Sequence, residues 1–189
     1  MADYAGIYDR VHAENEGYQL PHHSPGLLLV RQNEARLRAE GPRHIDLGCG
    51  AGFVVEQMRE WGFDSVGADI SAQAVETANA RMGEGAAAVI ENGRAPFPDH
   101  SFDLVTCFDV LEHLDREDVP GLRDEFLRLL KPGGLLFCNI SLRLAGSVDH
   151  EGVNLHRTVE PPQWWDAIFA FDEYTVLRAK QDMSCWKRA

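Results

Sequence analysis

One short segment constrains this chain more than any other: His44-Ile45-Asp46-Leu47-Gly48-Cys49-Gly50-Ala51-Gly52. A brief apolar run enters three alternating glycines and then an amphipathic stretch over 53–61. Glycine turns the backbone into φ > 0 without strain, and its missing side chain lets main-chain N–H groups touch a ligand. The segment therefore reads as a strand, a tight loop and a helix start. Asp46 at the strand's end repels a phosphate at close range, so a cationic or zwitterionic ligand suits the loop better. A dinucleotide-binding loop asks for G-x-G-x-x-G. Here the spacing is G-x-G-x-G, with Phe53 in place of the third fingerprint glycine. A strand-to-helix turn with no ligand satisfies the same glycines.

From the loop onward, short strand-like runs alternate with helical patterns. Val54, Met58 and Trp61 mark one helix face that stops at Gly62. A second strand is expected over 65–69, then Ser71 as N-cap of a helix bearing Val75, Ala78 and Met82. A third strand is expected over 87–90. The runs over 102–108 and 135–140 are almost continuously apolar, as strands buried on both faces are. Between them, Val119, Leu122, Phe126, Leu129 and Leu130 share a helix face that ends at Lys131-Pro132-Gly133-Gly134, read as a turn. Pro161-Pro162 opens a short helix whose Trp164 and Trp165 pack it to the sheet, and the tail over 174–179 and 183–186 alternates like a hairpin. Alternating β and α units imply a parallel sheet covered by helices on both faces. Ahead of the first strand lies a region of different character, aromatic and histidine-rich to His23 and then helical over about 25–40.

Length and composition bound the rest. The 189 residues fit one domain, with 1–42 as a helical arm or lid, 43–189 as the core and 141–160 as a substrate loop. A formal charge of -12 opposes counterion-release binding to nucleic acid. No apolar run is long enough to span a bilayer, and the first residues lack the charged-then-apolar start of a signal peptide. Cys49, Cys107, Cys138 and Cys185 are far apart and form no C-x-x-C pair, so they read as small buried residues in a reducing compartment. The expectation is a cytoplasmic protein with neither a nucleic-acid nor a membrane partner.

Further segments join the glycine loop in a consistent order. Val66-Gly67-Ala68-Asp69-Ile70-Ser71 ends a strand in an acid, and such a carboxylate accepts hydrogen bonds from a ribose diol. Pro96-Phe97-Pro98-Asp99-His100-Ser101-Phe102-Asp103, Asp109-Val110-Leu111-Glu112-His113-Leu114 and Leu130-Lys131-Pro132-Gly133-Gly134 follow. Over residues 44 to about 140 this set resembles the class I S-adenosylmethionine-dependent methyltransferases. The resemblance implies an α/β, doubly wound (Rossmann-like), mostly parallel seven-stranded sheet with a C-terminal antiparallel hairpin. It also implies S-adenosyl-L-methionine as cofactor and S-adenosyl-L-homocysteine as product. Carried over by position, Asp46, Gly48, Cys49 and Gly50 hold the methionine part, Asp69 the ribose hydroxyls, and Ile70 packs on the adenine. Glu91, followed by Asn92, stands where the family often has an Asp that contacts the adenine amino group; Phe108 and Asp109 border the methionine end. The N-terminal arm, with Tyr4, Tyr8, His12, Tyr18, His22 and His23, would fold over the cofactor. Asp103 reads as a structural partner at the start of its strand.

Methyl transfer is an in-line displacement that needs alignment, exclusion of water and, for a hydroxyl or protonated amine, removal of a proton. His113, just beyond the fourth strand, and His156, in the loop after the fifth, are the candidate bases. An imidazole that merely caps a loop is the plainer alternative for each. If 109–113 were helical, Asp109, Glu112 and His113 would share a face, and with His156 or His150 they would resemble a divalent-metal site of some methyltransferases. The reading carried forward has no metal ligand. It expects a small or medium-sized metabolite as acceptor, oxygen in preference to nitrogen, with a catalytically silent cofactor-binding subunit as the competing class.

Overall fold

The computed structural model describes residues 3–189 apart from 16, 18, 19, 178 and 180, so Tyr18 lies outside the described residues. Strands β1 (Arg43–Leu47), β2 (Asp64–Asp69), β3 (Ala87–Val89), β4 (Phe102–Phe108), β5 (Leu130–Ser141), β6 (Glu173–Leu177) and β7 (Asp182–Arg188) form one sheet in the order β3-β2-β1-β4-β5-β7-β6. The first five run parallel, and β7 lies antiparallel to both β5 and β6. This is the doubly wound sheet with a closing hairpin that the alternation predicts. The winding reverses between β1 and β4. Open α/β sheets bind ligands at that switch point, outside the carboxyl ends of the strands.

Helices α1 (Tyr4–Glu14), α2 (Pro25–Gln32) and α3 (Glu34–Leu37) precede the sheet; α4 (Phe53–Glu60), α5 (Ala72–Met82), α6 (Val119–Leu129) and α7 (Pro162–Phe169) follow β1, β2, the segment after β4, and β5. Side chains alternate across each strand, and both faces are covered. Val105 and Cys107 of β4 join Phe126, Leu129, Trp165 and Phe169 of α6 and α7. Leu104 and Phe108 join Val30, Leu37, Val54 and Met58 of α2, α3 and α4. Every β4 side chain except Asp103 is buried, which is why the strand reads as an unbroken apolar run.

Two local expectations are corrected. Lys131-Pro132-Gly133-Gly134 is not a turn ahead of β5 but part of that strand. Its register slips there, with Phe102 opposite Leu130 and Leu104 opposite Leu135. The bulge is held by the distant C-terminus, through Gly133 N–H to Ala189 C=O and Ala189 N–H to Gly134 C=O. The helix expected over 25–40 breaks at Asn33, whose backbone leaves the helical region. The start of the arm is a true helix, α1, capped by the Asp3 carboxylate, which accepts from Gly6 N–H. The cysteines are distant in sequence only. Cys107, Cys138 and Cys185 are register neighbours across β4, β5 and β7, buried as free thiols. Among the described residues no helix is long and apolar enough to cross a membrane.

Candidate functional site

The carboxyl ends of β1, β2 and β4 meet at one rim. Gly48 turns out of β1 with φ of 76°, and a Cβ there would overlap the Val110 side chain, so glycine is required. Gly50 is also left-handed, with φ of 51°, and its Cβ would stand 3.5 Å from Cε1 of His12 on α1. The loop is thus open to a ligand on one side and roofed by α1 on the other. The Cys49 side chain points away, into an apolar cluster with Val55, Val75, Ala78 and Ala87, so only its main chain faces the rim.

The acids expected to hold the cofactor are buried. Asp46 accepts from the Thr106 hydroxyl at 2.6 Å. Burial pushes its carboxyl up to about 7; the Thr106 hydrogen bond works against this, and the charge of Asp69 adds to it. Asp69 is raised as well, by burial first, while backbone N–H groups and His12 favour its ionised form. Its Oδ1 accepts from Ser71 N–H at 2.9 Å and Oδ2 from Gly50 N–H at 2.8 Å. A carboxylate has about four lone-pair sites, so these contacts orient Asp69 and leave acceptor capacity. Ile70 follows, half-buried. Beyond β3, Val89, Glu91, Asn92, Arg94 and Phe97 line a cavity of about 690 Å³. Glu91 is exposed, and Asn92 has a φ of 52° in the turn closed by Glu91 and Arg94.

At the end of β4, Phe108 packs edge-on against Phe137 and beneath Gly26, where a Cβ would overlap its ring. Asp109 takes a left-handed φ of 52° and accepts from Asn139 Nδ2 at 2.6 Å; Ser184 Oγ in turn donates to Asn139 Oδ1. The helical condition for the metal reading over 109–113 is therefore not met. A single 3-10 turn, Leu111–His113, follows instead, and Asp109 faces Asn139. The group that converges is Glu112, His113 and His156, with ligand-capable atoms within 4.8 Å of one another. His150 is exposed and outside this group.

The His113 and His156 rings meet edge to face, 4.7 Å between centroids. His113 Nδ1 lies 2.9 Å from the Leu155 carbonyl, and His156 Nδ1 lies 2.5 Å from the Arg143 carbonyl. A carbonyl only accepts, so each Nδ1 carries the proton and each Nε2 keeps its lone pair. Burial lowers His113 to about 4 and lowers His156 too, so both are neutral at pH 7. Glu112 is fully buried: Oε1 accepts from Ser141 N–H, while Oε2 has no hydrogen-bond partner. Burial and the nearby Asp109 raise its carboxyl well above the usual range.

Helix α1 ties these parts together. The Tyr4 hydroxyl donates to Asp118 and accepts from Asp115 N–H; the Tyr8 hydroxyl meets His113 Nδ1 at 2.6 Å. Asp9 accepts from Ser71 Oγ and Gln73 N–H at the start of α5. His22 and His23 are exposed and meet edge to face. Asp103 accepts from Arg43 N–H and Lys131 Nζ, a structural partner at the start of its strand. Sequence reasoning missed Asp9, and it missed His44 and Thr106 on the sheet behind Asp46.

A wound sheet with a glycine loop and two strand-end carboxylates defines the class of Rossmann-like methyltransferase folds. The comparisons agree. Residues 45–138 match the family model described as methyltransferase domain. A ubiquinone biosynthesis O-methyltransferase of Xanthomonas euvesicatoria is 33% identical over 128 residues, covering 65% of this chain and 52% of that protein. The Thiobacillus denitrificans protein of the same name is 32% identical over 67% of this chain and 56% of its own length. The chain thus spans about half the length of the curated relatives it matches. Among solved structures, a Pyrococcus horikoshii protein superposes with a TM-score of 0.74 at 16% identity, over 95% of this chain and 98% of that one. Haemonchus contortus phospholethanolamine N-methyltransferase 2, in complex with phosphomonomethylethanolamine and S-adenosylhomocysteine, superposes at 0.71 and 24% identity, over 94% and 48%. The chain belongs to the class I S-adenosylmethionine-dependent methyltransferase superfamily.

Proposed function

We propose that this chain transfers a methyl group from S-adenosylmethionine to an oxygen of a small or medium-sized metabolite. The observation that carries the reading is the neutral His113–His156 pair, with both Nδ1 atoms tied to carbonyls, joined to the glycine loop through α1, whose Tyr8 meets His113 and whose His12 stands over Gly50. The names of the curated relatives support oxygen as the acceptor atom.

The residues present fit the cofactor. The left-handed Gly48 and Gly50 keep the loop's main chain bare of side chains, so that its N–H groups can approach a ligand. Asp46, buried with a raised carboxyl, gains from a cationic neighbour such as an ammonium. Asp69 keeps lone pairs for the ribose hydroxyls, and Glu91 and Asn92 border the cavity suited to the adenine, with Ile70 against it. Phe108 and Asp109 border the methionine end. When bound, S-adenosylmethionine supplies an electrophilic methyl group on a sulfonium and leaves as S-adenosylhomocysteine.

The chain's own residues align the acceptor and take up its proton. Burial makes His113 a poor proton acceptor, so His113 orients the hydroxyl. His156, half-buried, accepts the proton at Nε2 while Nδ1–H holds the Arg143 carbonyl. The loop after β5 and the α1 roof exclude water from the displacement.

The test is incubation of the protein with cofactor labelled in the methyl group and a fractionated metabolite extract. Label in a low-molecular-weight ether or ester is the expected result. Transfer only in the presence of a second protein would favour the silent-subunit class. No transfer under either condition would overturn the enzyme reading.

A second reading has its own observation. The Glu112 carboxylate, whose Oε2 has no hydrogen-bond partner, and the His113 and His156 imidazoles form a carboxylate and two-imidazole donor set. Those residues would hold Mn²⁺, Fe²⁺ or Zn²⁺ in preference to Mg²⁺, which favours oxygen ligands and water. Activity lost to a chelator and restored by Mn²⁺ would favour it.

A further inference from the structure

Behind Asp46, four polar side chains cross the sheet in a continuous line. Along β1, His44 and Asp46 are two residues apart and share a face, while Ile45 and Leu47 pack on the other. Register places Ser65 of β2 opposite His44 and Thr106 of β4 opposite Asp46. Ser65 Oγ lies 2.7 Å from His44 Nδ1, His44 Nε2 lies 2.8 Å from Thr106 Oγ1, and Thr106 Oγ1 lies 2.6 Å from Asp46 Oδ1. All four residues are buried, and Leu104 and Phe108 flank Thr106 on the same face. Polar groups so placed are costly unless each is satisfied.

The direction of every bond in the line is fixed by its end. An ionised Asp46 only accepts, so Thr106 donates to it. The Thr106 oxygen then accepts from His44 Nε2–H, and the His44 Nδ1 lone pair accepts from the Ser65 hydroxyl. We propose that His44 and Thr106 are positioning residues that orient the Asp46 carboxylate and favour its charged form, so that it receives the ammonium of an amino-acid-bearing cofactor. This rests on the reading of Asp46 given above.

Among the described residues, no other group acting on Asp46 favours its charged form. The titratable groups that act on it are Asp69 from β2, Cys49 from the glycine loop and Cys107 from β4. A charge on Asp69 repels one on Asp46, and burial keeps both thiols neutral. His44 is itself held neutral, near 3, by burial, so it acts as a dipole whose orientation does not change across the working pH range.

The experiment is calorimetric titration of the full chain and its variants with S-adenosylhomocysteine and with 5′-methylthioadenosine, which lacks the ammonium and carboxylate. Thr106→Val keeps the side-chain shape and removes the donor. It should weaken S-adenosylhomocysteine about tenfold or more, the scale of a hydrogen bond to a charged group, and leave methylthioadenosine unchanged. Thr106→Ser should restore the parent affinity, and His44→Leu should show a smaller loss with the same selectivity. If Thr106→Val does not fold, nitrogen-15 NMR of His44 in the parent remains decisive. A neutral Nε2–H ring is expected between pH 8 and 9, where Asp46 is ionised, and an Nδ1–H or charged ring there would overturn the inference. Equal weakening of both ligands, or of neither, by Thr106→Val would also overturn it. Asp46→Asn separates the two levels. Parent affinity in that variant would sink the reading of Asp46 itself, whereas a loss there with an unchanged Thr106→Val sinks the relay alone.

Discussion

Tyr8 and His113 lie 105 positions apart and share a contact of 2.6 Å between the phenol oxygen and Nδ1, with their rings edge to face at 5.5 Å. The contact joins the N-terminal helix to the residue proposed to orient the acceptor. Because Nδ1–H is already shared with the Leu155 carbonyl, the Tyr8 oxygen gives the ring a second anchor. Tyr8→Phe keeps the ring packing and removes this anchor. Turnover should fall about three- to tenfold with little change in melting temperature, the scale of a single hydrogen bond. Steady-state kinetics beside thermal melts would check this, and parent-like turnover would reduce α1 to a passive cover.

Asp69→Ala should weaken cofactor binding by about 1–3 kcal/mol. The variant loses the acceptor for the ribose and frees the Gly50 and Ser71 N–H groups that the carboxylate now holds. Asp69→Asn, which keeps one acceptor oxygen, should fall between the two. Isothermal titration ranks the three proteins, and equal affinities would remove Asp69 from the site.

Stability should depend on pH through Asp46. Its carboxyl rises from 3.8 to about 7 on folding. Between those values the folded protein keeps a proton that the unfolded chain has released. The stabilisation is therefore full below the lower value and lost as pH rises through the upper one, on the order of 4 kcal/mol at most. His44 and His113, held near 3 and near 4, act in the opposite sense. They make stability rise with pH up to about 6.5 and have no further effect beyond it, where free imidazoles are neutral. Between pH 6.5 and 8 the acids dominate, and the cofactor-free protein should lose stability. Asp46→Asn should flatten that decline without abolishing it, because Asp69 and Glu112 are raised in the same direction. Denaturant unfolding across this range measures the slopes; identical slopes in parent and variant would contradict the assignment.

His156→Ala should cost about 10²-fold or more in turnover, the usual scale of general-base catalysis, with cofactor affinity nearly unchanged. His113→Ala should cost less, since it orients and does not take the proton. Unchanged turnover in both variants and in the double variant would leave the pair as loop structure.

The parts of the fold legible in the sequence are those whose cause is local or repeats along the chain. The β4 and β5 runs are apolar because both sheet faces are covered, and the glycine loop announces itself because Gly48 has no room for a Cβ. What escaped depends on distant partners. The Pro132-Gly133-Gly134 segment reads as a turn until Ala189 pairs with it. Asp109, Glu112 and His113 have helical spacing, but Asn139 draws Asp109 away. His44 and Thr106 are polar residues on different strands, and only the register joins them. For α1 a signal did exist. Tyr4, Tyr8 and His12 recur at i, i+4 and i+8, one helix face whose polar tips reach Asp118, His113 and the Gly50 loop.

Calorimetric titration of the protein with S-adenosylmethionine, S-adenosylhomocysteine and NAD tests the central claim most directly. One site per chain for each of the first two cofactors, lost or strongly weakened in Asp46→Asn and Asp69→Ala, is the predicted result. Failure to bind either of them, with tight binding of NAD in their place, would contradict it.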